Sequence, residues 1–304
     1  MPAYNARPFI EESIRSVLSQ DYANIELIVI DDGSTDGTPE VVQGFGSRVT
    51  ILHQTNAGPA AARNRGIAAA TGDFIAFLDA DDVWLPGKVA AQVQYLQNHP
   101  EVGVVFGLWY CESDGVFSVP AGSIHLGESV ELVSQHSGWI YTELLLESVI
   151  HIITAMVRRS VIESVGNLDE SLRTGEDYDF WLRVSRQFRI DQLNRTLASY
   201  RIHATSTTQV PRKENNEYKV LLKTLATYGH SGPDNASVNG QALRMRFFQL
   251  CFSHGYLHIR AGDPKVAQED FRAAFHYAPF KPKVWLYWMW AVLKRISTPN
   301  KVNA

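Results

Sequence analysis

The chain has 304 residues, 45% of them apolar and 20% charged, with a formal net charge of −4 and a pI near 6.2. This composition excludes collagen-like, disordered and disulfide-scaffold chains, and its dispersed positive charge leaves no footprint for a nucleic-acid binder. At roughly 100 to 200 residues per domain, the length predicts one large domain with a smaller one, or two of medium size.

The first hundred residues alternate between helical and strand periodicity. Ile10, Ile14, Val17 and Leu18 recur at helical spacing within Phe9 to Ser19, and the run Ile25 to Ile30 after them has the β-branched pattern of a buried parallel strand. That strand enters the turn-forming segment Asp31-Asp32-Gly33-Ser34-Thr35-Asp36-Gly37-Thr38. A helix over 39–45, a strand over 49–54 and an Ala-rich helix over 59–70 follow. Gly72-Asp73 then introduces a strand over Phe74 to Leu78 that runs straight into Asp79-Ala80-Asp81-Asp82. A helix over 88–98 and a strand over 102–109 come next, and the pattern loses regularity until Ile150 to Val157. Gly175-Glu176-Asp177-Tyr178-Asp179 opens a helix over 180–187 with Trp181, Leu182 and Val184 on its apolar side. Strands separated by helices of about ten residues predict an α/β fold with a mostly parallel sheet. Ligands bind beyond the carboxyl ends of such strands, so Asp31-Asp32 and Asp79-Ala80-Asp81 are expected to converge on one rim.

From Lys213 onward the chain reads as helical, which predicts a boundary near 212 and two parts, 1–212 and 213–304. Phe252 to Pro282 resembles one helix-turn-helix unit of the tetratricopeptide type, which cannot bury its own face and must pack on a neighbour. His254 and His258 have the spacing of a helical metal pair but no accompanying Glu, and are read as ordinary helix residues. Val284 to Leu293 holds three of the seven Trp and is flanked by Lys281, Lys283, Lys294 and Arg295. Two readings stand side by side for it: a helix lying on an anionic membrane, or a helix packed on the tail or on a partner chain. It is the longest apolar run and falls well short of the 18 to 20 residues that span a bilayer. No basic region followed by an apolar core marks a signal peptide, and Cys111 and Cys251 form no CxxC pair, so a reducing, cytoplasmic setting is expected.

A diphosphate carries several negative charges, and a protein with acidic clusters holds it through a bridging divalent cation, which is the physical use of Asp-x-Asp at a strand end. Alone the pattern is weak, since Asp is common in turns. Here it is accompanied by Pro2-Ala3-Tyr4-Asn5, by the Asp31 to Thr38 run, by Asn56-Ala57-Gly58-Pro59 leading to Arg63-Asn64-Arg65-Gly66, and by Glu176-Asp177. In order and spacing these motifs closely resemble the family 2 glycosyltransferases over about residues 1–205. The resemblance implies a GT-A catalytic domain with a Rossmann-like sheet.

The family's roles are carried over as implications. Tyr4 stacks on the base of a nucleotide-sugar donor, with Pro2 and Ala3 lining the same pocket, and Asp32 accepts hydrogen bonds from the base. Asn56 and Arg63 belong to the segment closing over the nucleotide, although a charge on a helix is by default solvated. Asp79 and Ala80 face the ribose side, Asp81 ligates Mn²⁺ or Mg²⁺, and His203 is a further metal ligand. Asp177, with Glu176 beside it, is the general base that deprotonates an acceptor hydroxyl in a single, inverting displacement. Asp31 is assigned to the turn itself. A uridine donor is favoured, and a glycan or lipid-linked acceptor in cell-surface polysaccharide synthesis is the family expectation.

One departure stands out. Relatives carry a Val/Ile-rich strand directly before the first motif, and this chain starts at Met1, so the first strand is expected to be missing. Its loss would leave neighbouring strands with unpaired backbone groups and an apolar slot, making the chain less stable than one extended upstream. Competing readings have less support: a nucleotidyltransferase needs a Gly-rich basic loop, a dinucleotide oxidoreductase needs GxGxxG, and a two-carboxylate hydrolase needs no nucleotide pocket. The alternative from another class is a catalytically inactive scaffold acting through its helical tail.

Overall fold

The computed structural model describes residues 1–113, 116–118, 131–203, 206 and 212–297. In chain order the first half comprises β1 (Pro2–Ala3), α1 (Ile10–Leu18), β2 (Ile28–Asp31), α2 (Thr38–Gln43), β3 (Thr50–His53), α3 (Pro59–Ala69), β4 (Phe74–Ala76), β5 (Val83–Trp84), α4 (Lys88–Asn98), β6 (Val102–Ser113) and β7 (Val116–Ser118). The second half adds α5 (Tyr141–Leu146), β8 (Met156–Arg158), α6 (Arg159–Val165), α7 (Glu176–Val184), β9 (Arg189–Ile202), α8 (Asn216–Tyr228), α9 (Gly240–Ala261), α10 (Pro264–Tyr277) and α11 (Pro282–Ser297).

The expected α/β alternation is present as two sheets. β1, β2 and β3 pair in parallel, with Ala3 opposite Asp31 and Asp31 opposite His53. The second sheet has the order β4-β8-β6-β9-β5, with β6 and β9 parallel and the remaining pairs antiparallel. α1 buries Ile10, Ile14 and Val17, the face that its spacing predicts. β2 is buried throughout, as its unbroken Ile-Val-Ile run requires. The helix expected from Phe180 begins earlier, at Glu176. Gly175, at φ +76, supplies the left-handed turn that starts it and so sets the Glu176-Asp177 pair in its first turn.

A short strand is present at the first motif itself, where Pro2 and Ala3 form β1. Its ladder extends to Met1: the Met1 ammonium donates to the Ile28 carbonyl at 2.9 Å, and the Ile30 and Asp32 N–H groups donate to the Met1 and Ala3 carbonyls at 2.8 Å each. Among the described residues nothing joins β1 to β4, and the two sheets stay separate. A cavity of about 660 Å³ opens at the gap, lined by Met1, Leu27, Ile28, Phe74, Ile75 and Met156 among others. Polar groups such as Asn24, Arg63 and Asp73 share the lining of this slot with the apolar ones. Burial pushes the pKa of the Met1 ammonium down to about 5.

The main core runs from Ile10 and Val29 through Val104, Phe106 and Trp181 to Val220, Leu221, Phe247 and Leu250, so it crosses residue 212 without a break. A second cluster, with Phe248, Ile259, Phe271 and Val284, lies between α9, α10 and α11. α9 and α10 form the expected helix pair, and Gly255 permits their approach: a Cβ there would lie 3.0 Å from the Asp270 Cβ and the Phe271 ring. His254 and His258 do more than decorate α9. Each has its Nε2 2.7 Å from the Arg212 carbonyl, and His254 Nδ1 meets Asp270 at 2.7 Å, so they fasten the segment that leads out of the sheet region. Among the described residues no helix is long and apolar enough to cross a membrane.

Candidate active site

Two lips face each other across the ends of β2 and β4. On the first, Asp31 secures the turn: its Oδ1 accepts from the Ser34 N–H at 3.0 Å and its Oδ2 meets His53 Nδ1 at 3.0 Å. Asp32, 4% exposed, accepts from Gln54 Nε2 at 2.8 Å, from the Ala57 N–H at 2.8 Å and from the Gly58 N–H at 2.9 Å. The carboxylate therefore pins the 54–58 loop to the end of β2, and its Oδ2, with one partner, keeps a lone pair for a further donor. Gly58, at φ +96, turns its N–H onto that oxygen. Tyr4 stands on the rim with 54% of its surface exposed, Asn56 is exposed beside the loop, and Pro2 is half-buried. Ala3 differs from the expectation of a pocket-lining side chain: it is 2% exposed and packed in the core, with its carbonyl accepting from the Asp32 N–H. Ala80 is likewise buried, its carbonyl accepting from Ser13 Oγ at 2.9 Å.

The second lip is built on Arg63. Arg63 is 7% exposed, which departs from the solvated charge that a helix position suggests by default. Its NH1 donates to Glu176 Oε1 and its NH2 to Asp79 Oδ1, both at 2.6 Å, so residues 113 and 16 positions away in sequence are drawn onto one cation. Burial opposes the charge on Arg63, but the carboxylates of Asp79 and Glu176 outweigh it and hold the pKa above its usual range. Asp177 accepts from the Tyr178 N–H at 2.8 Å in the first turn of α7. A helix N-terminus favours the carboxylate. Burial nevertheless wins, and Arg63 offsets it only in part, so the Asp177 pKa is raised. Burial also raises Glu176, against the pull of Arg63.

Asp81 and His203 meet at 2.9 Å between Oδ2 and Nε2, and the His203 ring stacks on Phe9 with centroids 4.5 Å apart. Burial and then repulsion from Asp79 raise the pKa of Asp81, with the His203 bond pulling the other way. The sequence reading gave no role to Asp82. It is 0% exposed, accepts from the Arg201 N–H at 2.8 Å through Oδ1, and has no hydrogen-bond partner for Oδ2. Burial, then repulsion from Asp79 and Asp81, push it up to about 9. The Asp79, Asp81 and Asp82 cluster is thus short of positive charge. Carboxylate oxygens with one imidazole suit a hard divalent cation that keeps water and phosphate ligands, so Asp81 and His203 fit Mn²⁺ or Mg²⁺. Among the described residues no group of three His, Cys, Asp or Glu side chains is arranged to hold a metal by itself.

A third feature went unread in the sequence. His151, just before the turn at Ile152–Thr154, stands between Trp109 and Tyr200, with ring centroids 5.2 and 4.9 Å away. It is close enough to Asp79 and Arg63 to feel both charges, and burial lowers its pKa. No motif announces it, because the three rings come from separate parts of the chain.

The glycosyl transferase family 2 model matches residues 1–166. The "Uncharacterized glycosyltransferase RP339" of Rickettsia prowazekii is 31% identical over 221 residues, covering 73% of this chain and 68% of that protein. The "Putative teichuronic acid biosynthesis glycosyltransferase TuaG" of Bacillus subtilis is 31% identical over 234 residues, covering 75% and 84%. Among solved structures, S. aureus TarS 1-349 in complex with UDP-GlcNAc superposes with a TM-score of 0.64 at 18% identity over 97% of this chain and 86% of that one. The mannosyltransferase PcManGT from Pyrobaculum calidifontis, in complex with GDP-Man and Mn²⁺, gives 0.58 at 20% identity over 97% and 82%. At such identities the solved structures speak for the shared GT-A fold.

Proposed function

Because the chain belongs to glycosyltransferase family 2, we propose that this glycosyltransferase is an inverting enzyme that moves a sugar from a nucleotide-diphospho-sugar, a UDP-sugar foremost, to a hydroxyl acceptor in cell-surface polysaccharide or lipid-linked oligosaccharide synthesis. The observation that carries the reading is Arg63, which gathers Asp79 and Glu176 onto one buried cation beside Asp177 and Asp81. A scaffold needs no such gathering of carboxylates, and burying them carries a cost.

Tyr4 stacks on the base, Asp32 accepts from it, Asn56 borders the same pocket, and Asp79 holds the ribose side. Asp177 takes the proton of the acceptor hydroxyl as that oxygen bonds to the anomeric carbon. The bond from this carbon to the diphosphate oxygen breaks with its electron pair leaving on the diphosphate, and one displacement inverts the configuration. A raised pKa suits Asp177 to the task, since a stronger base near neutral pH is a better proton acceptor. Asp81 and His203 would hold Mn²⁺ or Mg²⁺, which when bound supplies charge neutralisation to the leaving diphosphate. Glu176 and Arg63 keep α7 in register with Asp79.

The tail has a matching role. α11 contains no acidic residue, and Leu286, Leu293 and Ile296 are 63%, 64% and 77% exposed on it, with Lys283, Lys294 and Arg295 alongside. This pattern supports peripheral contact with an anionic membrane, where lipid-linked acceptors lie.

Calorimetry with UDP, GDP and dTDP, with and without Mn²⁺, tests the reading. Metal-dependent binding of one nucleotide, lost in Asp81→Ala, is expected. Asp177→Asn should keep that binding and lose transfer by about a thousandfold, the scale of a missing general base. A folded protein that binds none of the three overturns the proposal.

A further inference from the structure

β6 and β9 begin as core strands. Val102 to Phe106 and Leu193, Leu197 and Ala198 have almost no exposure, whereas Trp109 and Tyr200, farther along the same strands, are half-buried. Strand pairing sets Tyr200 opposite Cys111, two residues from Trp109, so the two rings share one face of the sheet. His151 closes the group from the side. Its ring is tilted 49° to Trp109 and 53° to Tyr200, so the three ring planes are inclined to one another as a cup of aromatic surface. His151 Nδ1 is a buried polar atom with no hydrogen-bond partner. Native interiors rarely leave such an atom unpaired without a use for it.

The cup adjoins the reacting centre, since His151 lies within electrostatic range of Asp79 and Arg63. It belongs to the second sheet through β6 and β9, while Tyr4 and Asp32 stand at the end of the first, formed by β1, β2 and β3. With the nucleotide proposed at the first sheet, the cup on the second is the place for the other substrate. A pyranose has one face of C–H groups that packs on aromatic rings and a rim of hydroxyls that need hydrogen-bond partners. We infer that Trp109, Tyr200 and His151 form the acceptor subsite: the rings of Trp109 and Tyr200 hold the apolar face of a pyranoside, and His151 Nδ1 hydrogen-bonds one of its hydroxyls.

This rests on the transferase reading, and the test separates the two. With the nucleoside diphosphate selected by calorimetry and Mn²⁺ present, methyl β-glucopyranoside, methyl β-galactopyranoside and methyl N-acetyl-β-glucosaminide are titrated by saturation-transfer NMR. At least one binds the unaltered protein through its ring C–H protons. Trp109→Ala weakens that binding about fivefold or more and Trp109→Phe less than about twofold, as loss and retention of an aromatic contact require. His151→Ala weakens it by a similar factor through the lost hydrogen bond. Unchanged nucleotide affinity in each variant shows that the fold and the donor pocket are intact. Absence of transfer to all three glycosides, or undiminished binding by Trp109→Ala, overturns the inference while nucleotide binding still upholds the enzyme. If the unaltered protein binds no nucleotide, the transferase reading falls, and this inference with it.

Discussion

Arg63 shows how much one side chain organises. Remove it and Asp79, Glu176 and Asp177 share a buried space with their mutual repulsion uncompensated. Breaking a buried ion pair from one side typically costs about 3 to 5 kcal/mol. Urea unfolding should therefore show Arg63→Ala less stable by roughly 3 kcal/mol, with Arg63→Lys intermediate because an ammonium lacks the two-edged fork. Equal stability of Arg63→Ala and the unaltered chain would mean that the network is ornamental. Asp82 makes the opposite case. Its folded pKa lies near 9 against an ordinary 3.8, so the proton is bound more tightly in the folded state. The stability this contributes is complete below the ordinary value and is lost as the pH rises toward 9. Asp82→Asn does not titrate, and its melting temperature should exceed that of the unaltered protein at pH 8 by at least about 4 °C, with the gap closing toward pH 4. At this scale the sequence motifs name Asp79, Asp81, Glu176 and Asp177 but not their connections. The Asp79 to Glu176 link runs through a helical Arg whose partners are far away in sequence, and the Trp109, His151, Tyr200 cup has no spacing to find it by.

Among the elements, those with strong local periodicity were the readable ones. α4 spans Lys88–Asn98 as expected, and α3 differs from its expected range only at its last residue. β9, at Arg189–Ile202 the longest described strand, went unread. Its period-two alternation is broken by the polar runs Asp191-Gln192 and Asn194-Arg195-Thr196, and its pairing with β6 is set by tertiary contact. α5 escaped for a similar reason, being six residues long and buried by its surroundings. α11 was readable as a helix, while its exposed face could be seen only once the packing was known. Trp285, Leu286, Met289 and Leu293 are each at least half exposed. Sedimentation with vesicles should show affinity for phosphatidylglycerol about tenfold or more above that for phosphatidylcholine, weakened by salt. Leu286→Glu with Leu293→Glu should abolish it and leave nucleotide binding untouched. Equal binding to both lipids, or none, would instead assign this face to a protein partner.

On the scale of the molecule, the gap between the two sheets is the weak point. The 660 Å³ cavity removes contacts from both walls, and the half-buried Met1 amine stands at its edge. A six-residue extension of alternating Val and Ile ahead of Met1 should enter the slot, replace the amine by a peptide group and raise the melting temperature by at least about 5 °C. No change would show that the slot closes by itself in solution. Elsewhere the architecture is continuous. Lys223 of α8 reaches Asp179 of α7 at 3.2 Å, Asn216 donates to Thr174 at 3.1 Å, Tyr141 donates to the Gly229 carbonyl at 2.8 Å, and one apolar core passes through both parts. The helix that carries Asp177 is therefore held from behind by the tail. Residues 213–304 are not a cassette. Exchanging them for another tail, by recombination or by design, would also exchange the support of the helix that carries Asp177, so the tail and the base proposed on that helix are inherited together.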